Sequence, residues 1–274
     1  MQGALALPRN RKNCSCKKVP LLLRIFSMRV LAPLLIVWLS FVDLAVAQKL
    51  QLSQAPKLPM YRPTLPGSGP HALIDRIDTQ DLVKKGQKDA AIMFTCSVKK
   101  NGDVVWSGTY RGTPGSKLLE QELFKRLADA KFVPAVYNHV PVDAIYYGTL
   151  TFAIIDGKPR LRIFSNQETE ELKKESDFVG PQPFFGADSK FSGFHYPPSQ
   201  DAPVLVDGVA ELEIQIDATG VVEMIKLRNE EPPFLGFGDA AVNDISFARF
   251  IPAFRDGRPV ACSVTLPVYY RPKS

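Results

Sequence analysis

The chain has little of what catalysis and metal binding draw on. Its 274 residues include three histidines, His71, His139 and His195, and four cysteines. His71 lies in a proline-rich stretch, His139 in a turn, and His195 just ahead of Tyr196-Pro197-Pro198. None stands in H-E-x-x-H or G-x-S-x-G text. Gly112 and Gly115, like Gly236 and Gly238, lack the Lys-Ser/Thr that would make a phosphate loop. Cys14-x-Cys16 has no nearby His or Cys to complete a zinc site. The expectation is therefore no catalytic residue, no cofactor and no metal. An enzyme would need a histidine within reach of a carboxylate or thiol in a cleft.

A basic excess is also missing from most of the chain. The net charge of +6 and pI near 9.1 invite a nucleic-acid partner. Seven basic residues (Arg9, Arg11, Lys12, Lys17, Lys18, Arg24, Arg29) and one acid, Asp43, account for that excess before residue 48. The rest is neutral, which excludes a polyanion footprint. With 45% hydrophobic and 23% charged residues, the remainder reads as ordinary globular protein.

The leader explains the basic cluster. Arg29 precedes the apolar run VLAPLLIVWLSFV (30–42), and Ala45-Val46-Ala47 supplies a small-residue cleavage site. Residues 1–47 are expected to be a signal peptide, with Met28 as an alternative start. A retained membrane anchor is the rival, for which the run is short and ends at Asp43. Both place the rest outside the cytoplasm. There, Cys96 and Cys262 alternate with apolar neighbours and are expected as buried free thiols.

What the chain does have is a repeat. AKFVPAVYNHVPV (130–142) returns as ARFIPAFRDGRPV (248–260), 118 residues later. At that offset Phe94, Cys96 and Val98 match Leu212, Ile214 and Ile216, the alternation of a half-buried strand. Gly102 and Gly220 mark tight turns. Leu119, Leu123, Leu127 and Ala130 match Phe237, Ala241, Ile245 and Ala248, one face of a helix. Ser116 and Asp239 are expected near the helix starts as caps, and Pro134 and Pro252 as helix stops. The fold class is then α+β: two tandem small domains, each an antiparallel sheet packed on one helix in β-β-α-β order. The expected plan is a Pro-rich tether (48–70), a first domain (72–164), a connector (165–195) and a second domain (196–274). In the first copy alone, Asp156-Gly157 predicts that the closing strand turns back as a hairpin. Glu168, Glu170 and Glu171 read as a solvated helix face balanced by Lys173 and Lys174.

The second copy carries a family resemblance. Gly208–Val222, then FARFIPA (247–253), Gly257-Arg258-Pro259-Val260 and Val264–Tyr270 follow one another as in the TonB C-terminal domain. The first copy resembles it less, keeping Asn101-Gly102 and Phe132-Val133-Pro134-Ala135. The resemblance implies a partner: a short extended peptide of a protein such as an outer-membrane receptor. It also implies a role in energy transduction for transmembrane transport from the inner membrane. Two features depart from a full energy transducer. No histidine lies between residues 29 and 47, although Ser40 is present. The tether of 23 residues reaches roughly 70–80 Å at most. An exported periplasmic binding module is therefore favoured, with a membrane-anchored transducer and a structural scaffold as alternatives.

A closing strand left at a sheet edge can take an incoming strand through its free N–H and C=O groups. The expected partner-binding edge is Val264, Thr265, Leu266, Pro267, Val268, Tyr269 and Tyr270. Pro267 fits a strand with one unpaired side, and fits equally a device that blocks pairing. Of the pairs Tyr146-Tyr147 and Tyr269-Tyr270, alternation sends one ring into the core and its neighbour outside.

Overall fold

The computed structural model describes residues 57–197 and 206–272. The expected signal peptide, Cys14, Cys16 and the first part of the expected tether lie outside the described residues. No helix among the described residues is long and apolar enough to cross a membrane.

The protein is α+β, and every named ladder is antiparallel. The first half runs β1 (Tyr61–Arg62), α1 (Leu73–Arg76), α2 (Thr79–Lys84), β2 (Ala90–Val98), β3 (Val104–Gly112), α3 (Lys117–Leu127), β4 (Ala135–Tyr137), β5 (Val140–Ile155) and β6 (Lys158–Phe164). Then come α4 (Thr169–Lys174) and β7 (Gln182–Phe185). The second half runs β8 (Gly208–Ile216), β9 (Val222–Glu231), α5 (Phe237–Ser246), β10 (Arg249–Ile251), β11 (Ala253–Arg255), β12 (Arg258–Val260) and β13 (Cys262–Tyr270).

The hairpins β2-β3 and β8-β9 share details that sequence alternation does not reach. Strands β2 and β8 begin and end 118 residues apart. Both hairpins slip register at the same two places, Met93/Phe94 with Glu211/Leu212 and Ser97/Val98 with Gln215/Ile216. Such bulges bend and twist a strand locally. Gly102 and Gly220 both adopt φ +86°, and a Cβ on either would collide with the carbonyl oxygen of Phe132 or Phe250. Each glycine carbonyl accepts the amide of that same phenylalanine at 3.0 Å. Glycine is required twice over, for the dihedral and for the approach.

That contact also revises where the helices end. α3 stops at Leu127 and α5 at Ser246, well before Pro134 and Pro252. Ala130 and Ala248 are buried beyond the helices, on chain drawn off to bond the glycine turn. The caps differ too. Ser116 makes no side-chain cap; buried Gln87 accepts the Leu119 amide at 2.9 Å instead. At α5, Glu230 accepts the amides of Gly238 (2.6 Å) and Leu235 (3.0 Å), a carboxylate at the positive helix end.

Three clusters form the core. Phe94, Cys96 and Val98 pack with Leu119, Leu123 and Leu127 in the first unit. Leu212, Ile214, Phe237, Ile245, Val264 and Leu266 pack in the second. The third is shared: Ala135, Tyr137, Val142 and Ala144 meet Phe184 and Ile251. Strand β5 is the wall between the first two. Tyr146 and Phe152 enter the first core, whereas Ile145 and Tyr147 enter the second. Of the pair expected to split between core and exterior, Tyr146 takes the first core and Tyr147 is buried in the other unit.

The stretches expected as tether and connector are packed where they are described. β1 pairs with β4, Leu65 pairs with Val133, and Thr64 is fully buried. In the second half Val179 pairs with Phe254, and β7 pairs with both β10 and β5. A segment ahead of each unit is therefore laced beside the chain that follows its helix.

Candidate functional site

Strand β13 pairs with β8 in one unbroken register, from Cys262 opposite Ile216 to Tyr270 opposite Gly208. It ends its sheet, whose order is β13-β8-β9. Val264, Leu266, Val268 and Tyr270 point into the second core. The Thr265 amide points the other way and donates to Glu168 Oε1 at 2.8 Å. Alternation gives Ser263, Pro267 and Tyr269 the same outward backbone direction. Pro267 thus stands where no ladder bond to β8 is lost.

The edge is not uniformly open. Ser263 and Thr265 are exposed, while Leu266, Pro267 and Val268 are buried. Tyr269 is half-buried edge-on against Tyr110 of β3, with ring centres 5.7 Å apart. Arg111 reaches across to Glu211 at 2.5 Å beside it. The first unit therefore shields the Pro267–Tyr270 half, and the Ser263–Thr265 half remains accessible. A narrow crevice between Thr265 and the first unit is lined by Tyr147, Gln167, Glu168 and Pro181.

In the first unit strands cover the corresponding edge on either side of Ile145–Gly148, the stretch that matches Ser263–Leu266. β6 covers β5 from Thr149 to Ile155, and β7 pairs with Asp143 and Ala144. In the gap between them, Gln167 Nε2 donates to the carbonyls of Gly148 (3.2 Å) and Phe94 (2.8 Å).

The open half of β13 borders a cleft of about 390 Å³, lined by Glu168, Glu170, Glu171, Phe178, Arg255 and Cys262 among others. Its charges are not equivalent. Glu171 takes two bonds from Arg255, at 2.8 and 3.2 Å, and one from the Ser176 hydroxyl at 2.6 Å. These hydrogen bonds, Arg255 foremost, hold its carboxyl below the usual range. Exposed Glu170 pairs with Lys173 at 2.9 Å. Glu168 makes no ion pair among the described residues. Burial pushes its carboxyl up, the Thr265 amide partly opposes this, and Glu171 adds to the rise. Cys262 is half-buried, and burial, with Glu168 nearby, pushes its thiol up to about 12. Cys96 is fully buried, and burial alone raises its thiol further.

Glu168 and Ser263 were invisible as site residues in the sequence. Glu168 meets Thr265 across 97 residues, and no local pattern signals that contact. Among the described residues no group of His, Cys, Asp and Glu is arranged to hold a metal.

One histidine does meet a carboxylate. Asp244 accepts the His195 backbone amide at 2.7 Å, and its Oδ1 lies 2.9 Å from His195 Nδ1. Ser192 Oγ is 3.4 Å from Nε2. The side chain of His195 is 62% exposed, and neither crevice beside β13 includes any of the three. The contact ties the segment before β8 to α5. His139 Nδ1 lies 2.6 Å from the Leu58 carbonyl, and the His71 carbonyl accepts from Lys131.

Residues 195–272 match the family described as the Gram-negative bacterial TonB protein C-terminal. That segment is similar to the TonB C-terminal domain. The span takes in His195, Tyr196 and the whole β8-β9-α5-β13 unit. No curated protein and no solved structure matches the chain. The TonB family is periplasmic or anchored in the inner membrane; its C-terminal domain is a non-enzymatic protein-interaction module in that family, with partners that include outer-membrane receptors. A hydrogen-bonding strand edge is the kind of surface such a module can offer.

Proposed function

We propose that this is an exported periplasmic protein in which the TonB C-terminal domain binds an extended peptide or partner segment by strand addition at β13. The proposed plan is a cleaved leader (1–47), a first domain (72–164) that is a diverged copy of the second, and the binding domain (196–274). The first domain serves as a fixed platform. The observation that carries this is the edge of β13, which has β8 on one side only and leaves Ser263 and Thr265 exposed, whereas β6 and β7 cover the outer side of β5 except at Ile145–Gly148. Main-chain groups at Ser263 and Thr265 would supply affinity, and the adjoining cleft would supply selectivity.

The register decides which substitution tests this. Proline at Val264 would break the ladder with Ile214, so it cannot separate folding from binding. Thr265→Pro removes only the outward amide. Titration of a synthetic alternating Thr/Val peptide, followed by amide NMR, is expected to shift Ser263 and Thr265 first. The Thr265→Pro variant is expected to lose the interaction with its circular dichroism unchanged. Unaltered affinity in that variant would remove strand addition at this edge. Cell fractionation with intact-mass measurement tests export: a mass starting at Gln48 in the soluble periplasm is expected. A full-length mass in the membrane would favour the anchored transducer.

A further inference from the structure

We propose that the guest of β13 is an extended peptide bearing a lysine or arginine, whose backbone carbonyl takes the Thr265 amide while its cation takes the Glu168 carboxylate. This rests on the strand-addition proposal and adds the chemistry of the guest. The accessible part of the edge is short, Ser263 to Thr265, and its one bonded amide is already occupied by Glu168. An incoming strand must displace that carboxylate to form its ladder. The displaced group is half-buried, and no cation pairs with it among the described residues. Neighbouring cations do not pair with it. Arg255 is engaged by Glu171, and Lys173 by the exposed Glu170. Glu171 itself repels Glu168. Leaving a half-buried carboxylate unpaired is costly, whereas a cation brought by the guest removes the cost. A neutral guest can form the same main-chain bonds but strands Glu168, and an acidic guest adds repulsion. The main chain thus admits strands in general, and Glu168 discriminates among them.

The test uses the full chain as exported and synthetic octapeptides of alternating threonine and valine. Each carries one lysine, norleucine or glutamate, scanned through the four central positions. Binding is read by fluorescence anisotropy. At the best position the lysine peptide is expected to bind about tenfold more tightly than the norleucine peptide. The glutamate peptide is expected to bind most weakly. In Glu168→Gln, which keeps an acceptor for the Thr265 amide, the lysine preference is expected to shrink to within about twofold, with norleucine binding retained. Equal binding of lysine and norleucine peptides, still abolished by Thr265→Pro, would overturn the basic preference and leave strand addition standing. A lysine preference that persists in Glu168→Gln would also overturn the assignment to Glu168. Binding unaffected by Thr265→Pro, or no binding of any peptide at about 1 mM, would overturn strand addition itself.

Discussion

Strands β5 and β13 hold the same place in the two units, yet only β5 meets a strand on each side. The difference arises from a few residues after the shared pattern ends. In the first copy Asp156 and Gly157, both at positive φ, turn the chain back so that β6 covers the edge. In the second copy Tyr270 is followed by Arg271-Pro272, and β13 keeps one free side. The comparison teaches that a repeated fold need not repeat a surface. On the proposed reading the copy with the covered edge is a support, and the other copy packs Tyr269 against its Tyr110.

The hardest test of the comparison is to take the support away. Residues 181–274 alone would lose Ile145 and Tyr147 from the second core and the β5 partner of β7. The fragment is expected to show no cooperative thermal unfolding by circular dichroism. A fragment that melts cooperatively near the full chain would show that the platform is dispensable.

Next in size are two neighbouring tyrosines that serve different cores. Tyr146→Ala and Tyr147→Ala should each cost on the order of 3–5 kcal/mol in denaturant unfolding. Hydrogen exchange should then separate them, with amides of β2 and α3 losing protection in the first variant and those of β8 and α5 in the second. Identical exchange patterns would mean that the two cores open as one.

A smaller effect comes from Glu168. Its carboxyl is raised in the folded protein by burial, so the folded state holds that proton to higher pH than the unfolded chain does. The associated stability is full below the usual carboxylate range and is lost as pH rises through the folded value. Glu168→Gln removes this dependence. Its melting temperature relative to wild type is expected to be higher at pH 7 than at pH 4. A constant difference would argue against burial of the ionised group.

The smallest effect concerns the thiols, one per copy. With its thiol near 12, Cys262 should alkylate at pH 8 roughly a thousandfold more slowly than free cysteine. Cys96, enclosed in the first core, should react only when the protein unfolds. Mass spectrometry of timed alkylation would check both, and equal rates would contradict the difference in enclosure.

Much of this fold was legible, for physical reasons tied to single residues. Alternation at Phe94, Cys96 and Val98 and helical spacing at Phe237, Ala241 and Ile245 report one buried face, and those faces are buried. Gly102 and Gly220 mark turns because only glycine tolerates that dihedral beside a carbonyl. The second burial of β5 was harder. The run AIYYGTLTF (144–152) is nearly continuous in apolar residues, as a strand covered on both faces should be. Alternation alone assigns Tyr147 to solvent. The candidate site was half legible: the strand and Pro267 could be named, whereas Glu168 and the shielding by Tyr110 depend on contacts between the copies.

The long register between β13 and β8 has a mechanical side. Nine consecutive residue pairs lie across any pull directed along the last strand. Tension on a docked guest would therefore load those bonds together in shear instead of opening them one at a time. Behind them, the ladder from β10 through β7 to β5 offers a route by which strain could pass into the opposite half of the molecule.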